Sequence, residues 1–325
     1  MTETFLKSAG WDGAEAHPLA GDASSRRYTR LRRGEEHAIL MQDPDGDTAL
    51  FARLSRHLLS LGLSAPRILA EAPGLLLLED LGDGLIARLA TDAESEKRLY
   101  LAATDALVTL HRHAPPQGLP LADPPRLAAM TDLAFTCYAT NADHAPAPGT
   151  AERCARAFET ALTNHAADTD VMILRDYHAE NILWLPEREG AARAGLLDFQ
   201  DALSGHRAYD LVSLIEDARR DVSNDTAEGV IRHYLGATGL PEVPFRTALA
   251  VLGAQRNLRI LGVFARLAAT RGKPGYIDLV PRIWGHLQHD LRHPALAEVA
   301  AILHEALPAP TPDILQRLKD PCPTP

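Results

Sequence analysis

The sequence predicts an α+β chain of two lobes, a small strand-rich one over residues 1–82 and a larger, mostly helical one over 83–307. Three observations carry this. Short apolar runs bounded by turn residues are confined to the N-terminal part. From Gly82 onward, apolar residues recur at three- and four-residue spacing over long stretches. A length of 325 residues suits two domains, or two lobes sharing one cleft. Beyond Leu307 the chain is punctuated by Pro308, Pro310, Pro312, Pro321, Pro323 and Pro325. Residues 308–325 are therefore expected to form a loosely held tail, broken by a short helix at Asp313–Lys319.

The elements follow in order. Arg26–Arg32 and His37–Met41 flank a turn at Gly34 and read as a hairpin, and Phe51–Leu61 has helical spacing. Pro66–Ala70 and Leu75–Glu79 read as strands joined at Pro73–Gly74. Glu94–His113 is a long helix with Leu99, Ala103, Ala106, Leu107 and Leu110 on one face. Further helices are expected at Ala151–His165, Ala208–Asp221, Phe245–Ala269, Ile277–Leu291 and Ala295–Leu307. One stretch interrupts this helical half: Val171–Leu174, Ile182–Leu185 and Gly195–Phe199 read as strands around polar loops.

Composition narrows the function. Thirty-three basic against 43 acidic residues give a formal charge of -10 with no long basic run, which argues against nucleic-acid binding. Cys137, Cys154 and Cys322 form no C-x-x-C pair, which fits free thiols in a reducing compartment. No signal peptide or spanning segment is visible, so a soluble, cytoplasmic protein is expected, with no membrane partner and no obligate protein partner.

The chemistry concentrates in the interrupting stretch. Its first loop reads Arg175-Asp176-Tyr177-His178-Ala179-Glu180-Asn181, and Asp198 follows in Leu196-Leu197-Asp198-Phe199-Gln200. Phosphoryl transfer from ATP needs a carboxylate to accept a hydroxyl proton. It also needs hard oxygen ligands for the Mg²⁺ that bridges the phosphates. Asp176 fits the first need, and Asn181 with Asp198 the second. Taken singly, Asp176 is also a common turn-capping residue.

This pattern resembles the aminoglycoside-phosphotransferase and choline-kinase-like superfamily, whose fold is bilobal and protein-kinase-like. The family loop is commonly H-G-D-x-H-x-x-N. Here Asp176, His178 and Asn181 stand, with Leu174 and Arg175 in the His and Gly places. The following metal motif matches at Asp198-Phe199, Ala202, Gly205 and Asp210. The resemblance runs from about Gly21 to Leu307. It implies Asp176 as catalytic base, Asn181 and Asp198 as metal ligands, and a bracing role for Asp210; His178 is read as structural or loop-orienting. It also implies a phosphate-covering loop in Gly21–Tyr28, with Ala23, Ser24, Ser25 and Arg26 facing ATP, and an adenine-binding hinge at the Glu79 carbonyl and Leu81 amide.

One departure matters. The third strand, His37–Gln42, lacks the lysine that usually grips the α- and β-phosphates, and no lysine occurs between Lys7 and Lys97. Arg26 or Arg27 is the expected substitute. Strand alternation places the two on opposite faces, and Arg26, nearer the small-residue turn, is favoured. The segments G-D-A-S-S-R-R-Y, D-Y-H-A-E-N-I-L-W-L-P-E-R-E-G and Y-D-L-V-S-L-I-E-D-A-R-R-D-V narrow the resemblance to the anomeric N-acetylmuramate/N-acetylglucosamine kinases of cell-wall recycling. That branch implies a small-molecule sugar as substrate. Two alternatives stay open: a kinase of an amine-bearing molecule such as an aminoglycoside, choline or amino alcohol, and a pseudokinase binding module. His286, His289 and His293 share a helix face and read as a polar surface or a zinc site. Gln255, Arg256 and Arg259 interrupt an apolar stripe and are candidates for lining the substrate cleft.

Overall fold

The computed structural model describes residues 2–19, 26–44 and 46–320. It divides into two compact units, Met1–Pro116 with Asp176–Ala202 and Gln117–Arg175 with Leu203–Pro325. The strands in chain order are β1 (Glu15–Pro18), β2 (Arg27–Arg33), β3 (Glu36–Gln42), β4 (Ile68–Ala72), β5 (Leu75–Glu79), β6 (Val171–Ile173), β7 (Ile182–Trp184), β8 (Ala194–Leu196) and β9 (Leu203–Gly205).

In the first unit β1 to β5 form an antiparallel sheet in the order β1-β2-β3-β5-β4. The expected hairpin forms with Arg30 opposite Ile39 and Arg33 opposite Glu36, and Gly34 takes the left-handed turn position at φ 59°. Alternation puts Leu31, Ala38, Leu40, Leu75 and Leu77 on one face, packed with Phe5 and Trp11. Phe5 arrives on a helix, Thr2–Ser8, too short to show a period in the sequence. The helix Thr48–Ser60 is capped by Asp47, whose carboxylate accepts from Leu50 N–H, and buries Phe51, Leu54 and Leu58. The helix Ala93–Leu110 starts in a capping box between Asp92 and Ser95. The hairpin β7–β8, with Ile182 opposite Leu196, belongs to this same unit.

In the second unit β6 pairs with β9, which brings Ile173 opposite Leu203. The 30-residue helix Glu242–Arg271 supplies much of the core, including Phe245, Leu252, Leu258 and Leu261. Gly262 lets it approach Leu133 so closely that any Cβ there would collide with the Leu133 backbone. The expected helix over Ala208–Asp221 stops at Ile215, because the Asp217 carboxylate accepts from Arg219 N–H and closes a local turn instead. An unexpected helix, Asn224–Thr238, follows, capped by Ser223. Residues 308–320 are not loose. The expected short helix forms at Pro312–Lys319, Leu318 is 2% exposed, and Tyr138 Oη donates to the Pro308 carbonyl.

The polar residues on the long helix also differ from expectation. Gln255 and Arg256 are buried and serve neighbouring groups of their own unit: Gln255 Nε2 donates to the Leu127 carbonyl and Arg256 Nη2 to Ser213 Oγ. Beside them Asn257 Nδ2 donates to both Glu216 and Asp290, at 2.6 and 3.1 Å. Of the three histidines expected on one face, His293 is used locally, its ring facing Ala295 N–H and Thr247 Oγ1. Among the described residues no group of three or more His, Cys, Asp or Glu side chains is placed to hold a metal.

Burial pushes Glu216 up to about 7, and burial with the Glu216 charge pushes Asp290 upward. The folded pair therefore keeps a proton that the unfolded chain has shed by neutral pH. Its contribution is fully present below the unfolded carboxyl pKa and is lost as pH rises through about 7. His206 and His286, both lowered to about 4 by burial, act in the opposite sense. The informative quantity is thus a difference between proteins. Glu216→Gln is expected to gain stability over wild type as pH rises from 5 to 8, by on the order of 1–3 kcal/mol. Urea unfolding at both pH values checks this; a pH-independent difference would refute the shared proton.

Candidate active site

The loop carrying the candidate base begins in strained backbone. Arg175, at the end of the second unit, has φ 71°, a region that costs a side-chain-bearing residue roughly 1–2 kcal/mol. That is the physical reason glycine suits this position, and the surroundings over-determine the strained form. Asp210, 0% exposed, accepts from the N–H groups of Leu174 and Arg175 at 2.6 and 2.8 Å. The Arg175 carbonyl accepts from Ser213 Oγ, which Arg256 in turn holds. Arg175→Val, β-branched and ill-suited to this region, is expected to lower unfolding free energy by about 1–3 kcal/mol, whereas Arg175→Gly should not lower it. A Val variant as stable as wild type in urea would show that the left-handed turn is not held in solution.

Arg26, Glu79, Leu81, Asp176, Asn181 and Asp198 all belong to the first unit. Tyr177 is buried and its Oη donates to the Ala103 carbonyl at 2.7 Å, docking the loop on the helix Ala93–Leu110. Asn181 Nδ2 donates to the Asp176 carbonyl at 2.9 Å and lies 3.3 Å from His178 Nε2 and 3.5 Å from Asp198 Oδ2. With its nitrogen so occupied, Asn181 has its Oδ1 left as the available atom. His178, 6% exposed, thus orients this amide. The half-buried Asp176 carboxylate accepts no hydrogen bond from a described group.

Asp198 follows β8 at φ 57°, a left-handed position that aspartate tolerates better than most residues. Phe199, fully buried, fixes it from behind, its ring 4.7 Å from Phe51. Gln200 Nε2 donates to Asp198 Oδ1 at 2.7 Å. Burial pushes the Asp198 carboxyl upward, the Gln200 bond opposes this, and the nearby Asp176 charge adds to the rise. Arg26 reaches the same carboxylate. Its Nη1 lies 3.3 Å from Asp198 Oδ1, while its Nε donates to Asp43 Oδ2 at 3.0 Å. Arg27 opens β2 and is exposed. Asp43 and Gln200 carry no recognisable motif; only the folded chain shows them.

Glu79 closes β5 and Leu81 follows it. The Glu79 carboxylate is taken by Arg67 and Arg188, and no described group accepts from the Leu81 N–H. Arg30 ties down the next residues through Asp80 and Asp83. Ala23, Ser24 and Ser25 lie outside the described residues.

Nearly the whole chain is similar to known proteins. Residues 15–246 match the phosphotransferase enzyme family, APH. The chain is 37% identical to the N-acetylmuramate/N-acetylglucosamine kinase of Caulobacter vibrioides, over 94% of this chain and 96% of that protein. It is 31% identical to the N-acetylmuramate/N-acetylglucosamine kinase of Pseudomonas aeruginosa, over 93% and 92%. Among solved structures, a choline/ethanolamine kinase family protein from Mesorhizobium loti aligns with TM-score 0.61 at 18% identity, over 91% of this chain and 94% of that one. A macrolide 2'-phosphotransferase from Brachybacterium faecium aligns at 0.55 and 16%, over 92% and 96%. Those two likenesses are of fold alone, the bilobal α+β fold of kinases of this kind. No helix among the described residues is long and apolar enough to cross a membrane. By its sequence match over most of its length, the chain belongs to the phosphotransferase enzyme family.

Proposed function

We propose that this chain transfers the γ-phosphoryl group of ATP to the anomeric hydroxyl of N-acetylmuramate or N-acetylglucosamine. The observation that carries the reading is the meeting of two oxygen-bearing side chains, Asn181 and Asp198, with Asn181 Nδ2 3.5 Å from Asp198 Oδ2, close to a carboxylate, Asp176, that no described group occupies. The relatives' names supply the sugar.

Asp176 has two tasks in this reading. It orients the acceptor hydroxyl, and it takes that proton as the sugar oxygen bonds to the γ-phosphorus and the bond to the bridging oxygen of the departing ADP breaks. An anomeric hydroxyl is more acidic than an ordinary alcohol, so a carboxylate base is chemically adequate. The donor pair fits magnesium, which takes one or two protein oxygens and completes its shell with phosphate and water. Held by Asn181 and Asp198, a magnesium ion would neutralise charge on the phosphates. Arg26 would add its guanidinium to the phosphates in place of the missing lysine. The Glu79 carbonyl and the Leu81 N–H would receive the adenine edge.

The test is product analysis with Mg-ATP and four acceptors: N-acetylmuramate, N-acetylglucosamine, choline and an aminoglycoside. A sugar monophosphate that mild acid hydrolyses, as a glycosyl phosphate does, is expected. Phosphorylation of an amine acceptor and of neither sugar would overturn the assignment.

A further inference from the structure

Arg26 is held by two carboxylates that differ in kind. Asp43 is 5% exposed and pinned: its N–H donates to the Gly74 carbonyl at 2.9 Å, and Gly46 packs so closely on its side chain that any Cβ there would collide with the carboxylate. The Asp198 side chain is 42% exposed, and its contact with Arg26 is the longer of the two, 3.3 against 3.0 Å. One arm is therefore buried and fixed, the other open and exchangeable. An ion pair with an exposed partner contributes little, and is readily given up to a phosphate that accepts the guanidinium fork.

Resting on the phosphotransfer reading above, the geometry assigns Asp43 as the positioning residue for Arg26, and makes the Arg26–Asp198 contact a resting pair that the nucleotide phosphates break. Without nucleotide the guanidinium balances the Asp198 charge. When a nucleoside di- or triphosphate arrives, Arg26 pivots about its Nε–Asp43 bond from carboxylate to phosphate, which frees Asp198 for the cation. Divalent metal and nucleotide then bind cooperatively, because one guanidinium guards the ligand of one and contacts the other. Asp43 touches neither reactant; it fixes the pivot.

Two binding measurements on the full chain test this without turnover. In a double-mutant cycle, ADP affinity is read by calorimetry for wild type, Asp43→Asn, Arg26→Ala and the double variant. Asp43→Asn is expected to weaken ADP about 5- to 30-fold and to add less than two-fold in the Arg26→Ala background, since the two act as a unit. Asp43→Glu should recover part of the loss. Additive losses would reduce Asp43 to a folding residue and overturn the assignment, with thermal unfolding of each variant recorded alongside. Free Mn²⁺ binding, followed by paramagnetic resonance, should be several-fold tighter in Arg26→Ala than in wild type without nucleotide, and the ADP-induced gain in Mn²⁺ affinity should shrink. Equal free-Mn²⁺ affinity would sink the resting pair. A wild-type chain that binds no ADP at all would fail the functional reading itself, a distinguishable result.

Discussion

Asp176→Asn is expected to lower kcat by roughly 10²–10⁴-fold, the usual cost of losing a general base, while ADP affinity stays within a few-fold of wild type. The loop does not depend on this carboxylate for its shape. Tyr177 docks on the Ala103 carbonyl, Asn181 bonds the Asp176 main-chain oxygen, and Asp210 holds the two preceding N–H groups. Asn keeps the volume and removes only the proton-accepting charge, so thermal stability should not fall. It also removes a charge that disfavours ionisation of Asp198, which keeps the change in metal affinity small. Single-turnover kinetics separates chemistry from binding. A variant retaining more than about a tenth of wild-type kcat takes Asp176 out of the base role.

The candidate stretch could be picked out in the sequence because its residues are local: Asp176 and Asn181 are five residues apart on one loop, and Asp198 stands at the end of the next hairpin. Long elements were legible too, since helices such as Glu242–Arg271 and strands such as β5 declare themselves by period or by an unbroken apolar run. What escaped depends on contacts between distant residues or on local competition. Helix Asn224–Thr238 holds Gly229 and Gly236, which lower helical preference; its apolar pairs Val230–Ile231 and Tyr234–Leu235 were the available signal. The early stop at Ile215 reflects a side chain competing for backbone N–H groups.

The polar residues were the hardest to place. Gln255 and Arg256 on an apolar stripe suggest a ligand-facing row, yet they satisfy a carbonyl and a hydroxyl inside their own unit. Asp43 lies in Asp43-Pro44-Asp45-Gly46-Asp47, a string that reads as a turn, and nothing in it signals a partner 17 residues upstream. The third strand, β3, carries no lysine, so under the proposed function the positive charge for phosphate comes from elsewhere. Arg26, just before β2, is the cation that meets the Asp198 carboxylate.

Asp198→Asn is expected to raise the Mg²⁺ concentration for half-maximal rate by at least about ten-fold and to depress kcat by about 10²-fold or more, since under the proposed function it removes a charged magnesium ligand. Asn is a cleaner probe than Ala. Asp198 sits at φ 57°, where Asn is tolerated and Ala would add backbone strain. An amide oxygen at the same place can also still accept from Gln200, as the carboxylate does at 2.7 Å. The substitution releases the exposed arm of Arg26 while Asp43 keeps the other. ADP binding without divalent metal should therefore be unchanged or tighter in the variant, even as Mg-dependent binding weakens. Opposite shifts in the two measurements cannot come from general unfolding, which would weaken both. Calorimetric ADP titrations with Mg²⁺ and with chelator provide them, and an unchanged Mg²⁺ requirement would leave Asp198 as a hairpin-end residue held by Phe199 and nothing more.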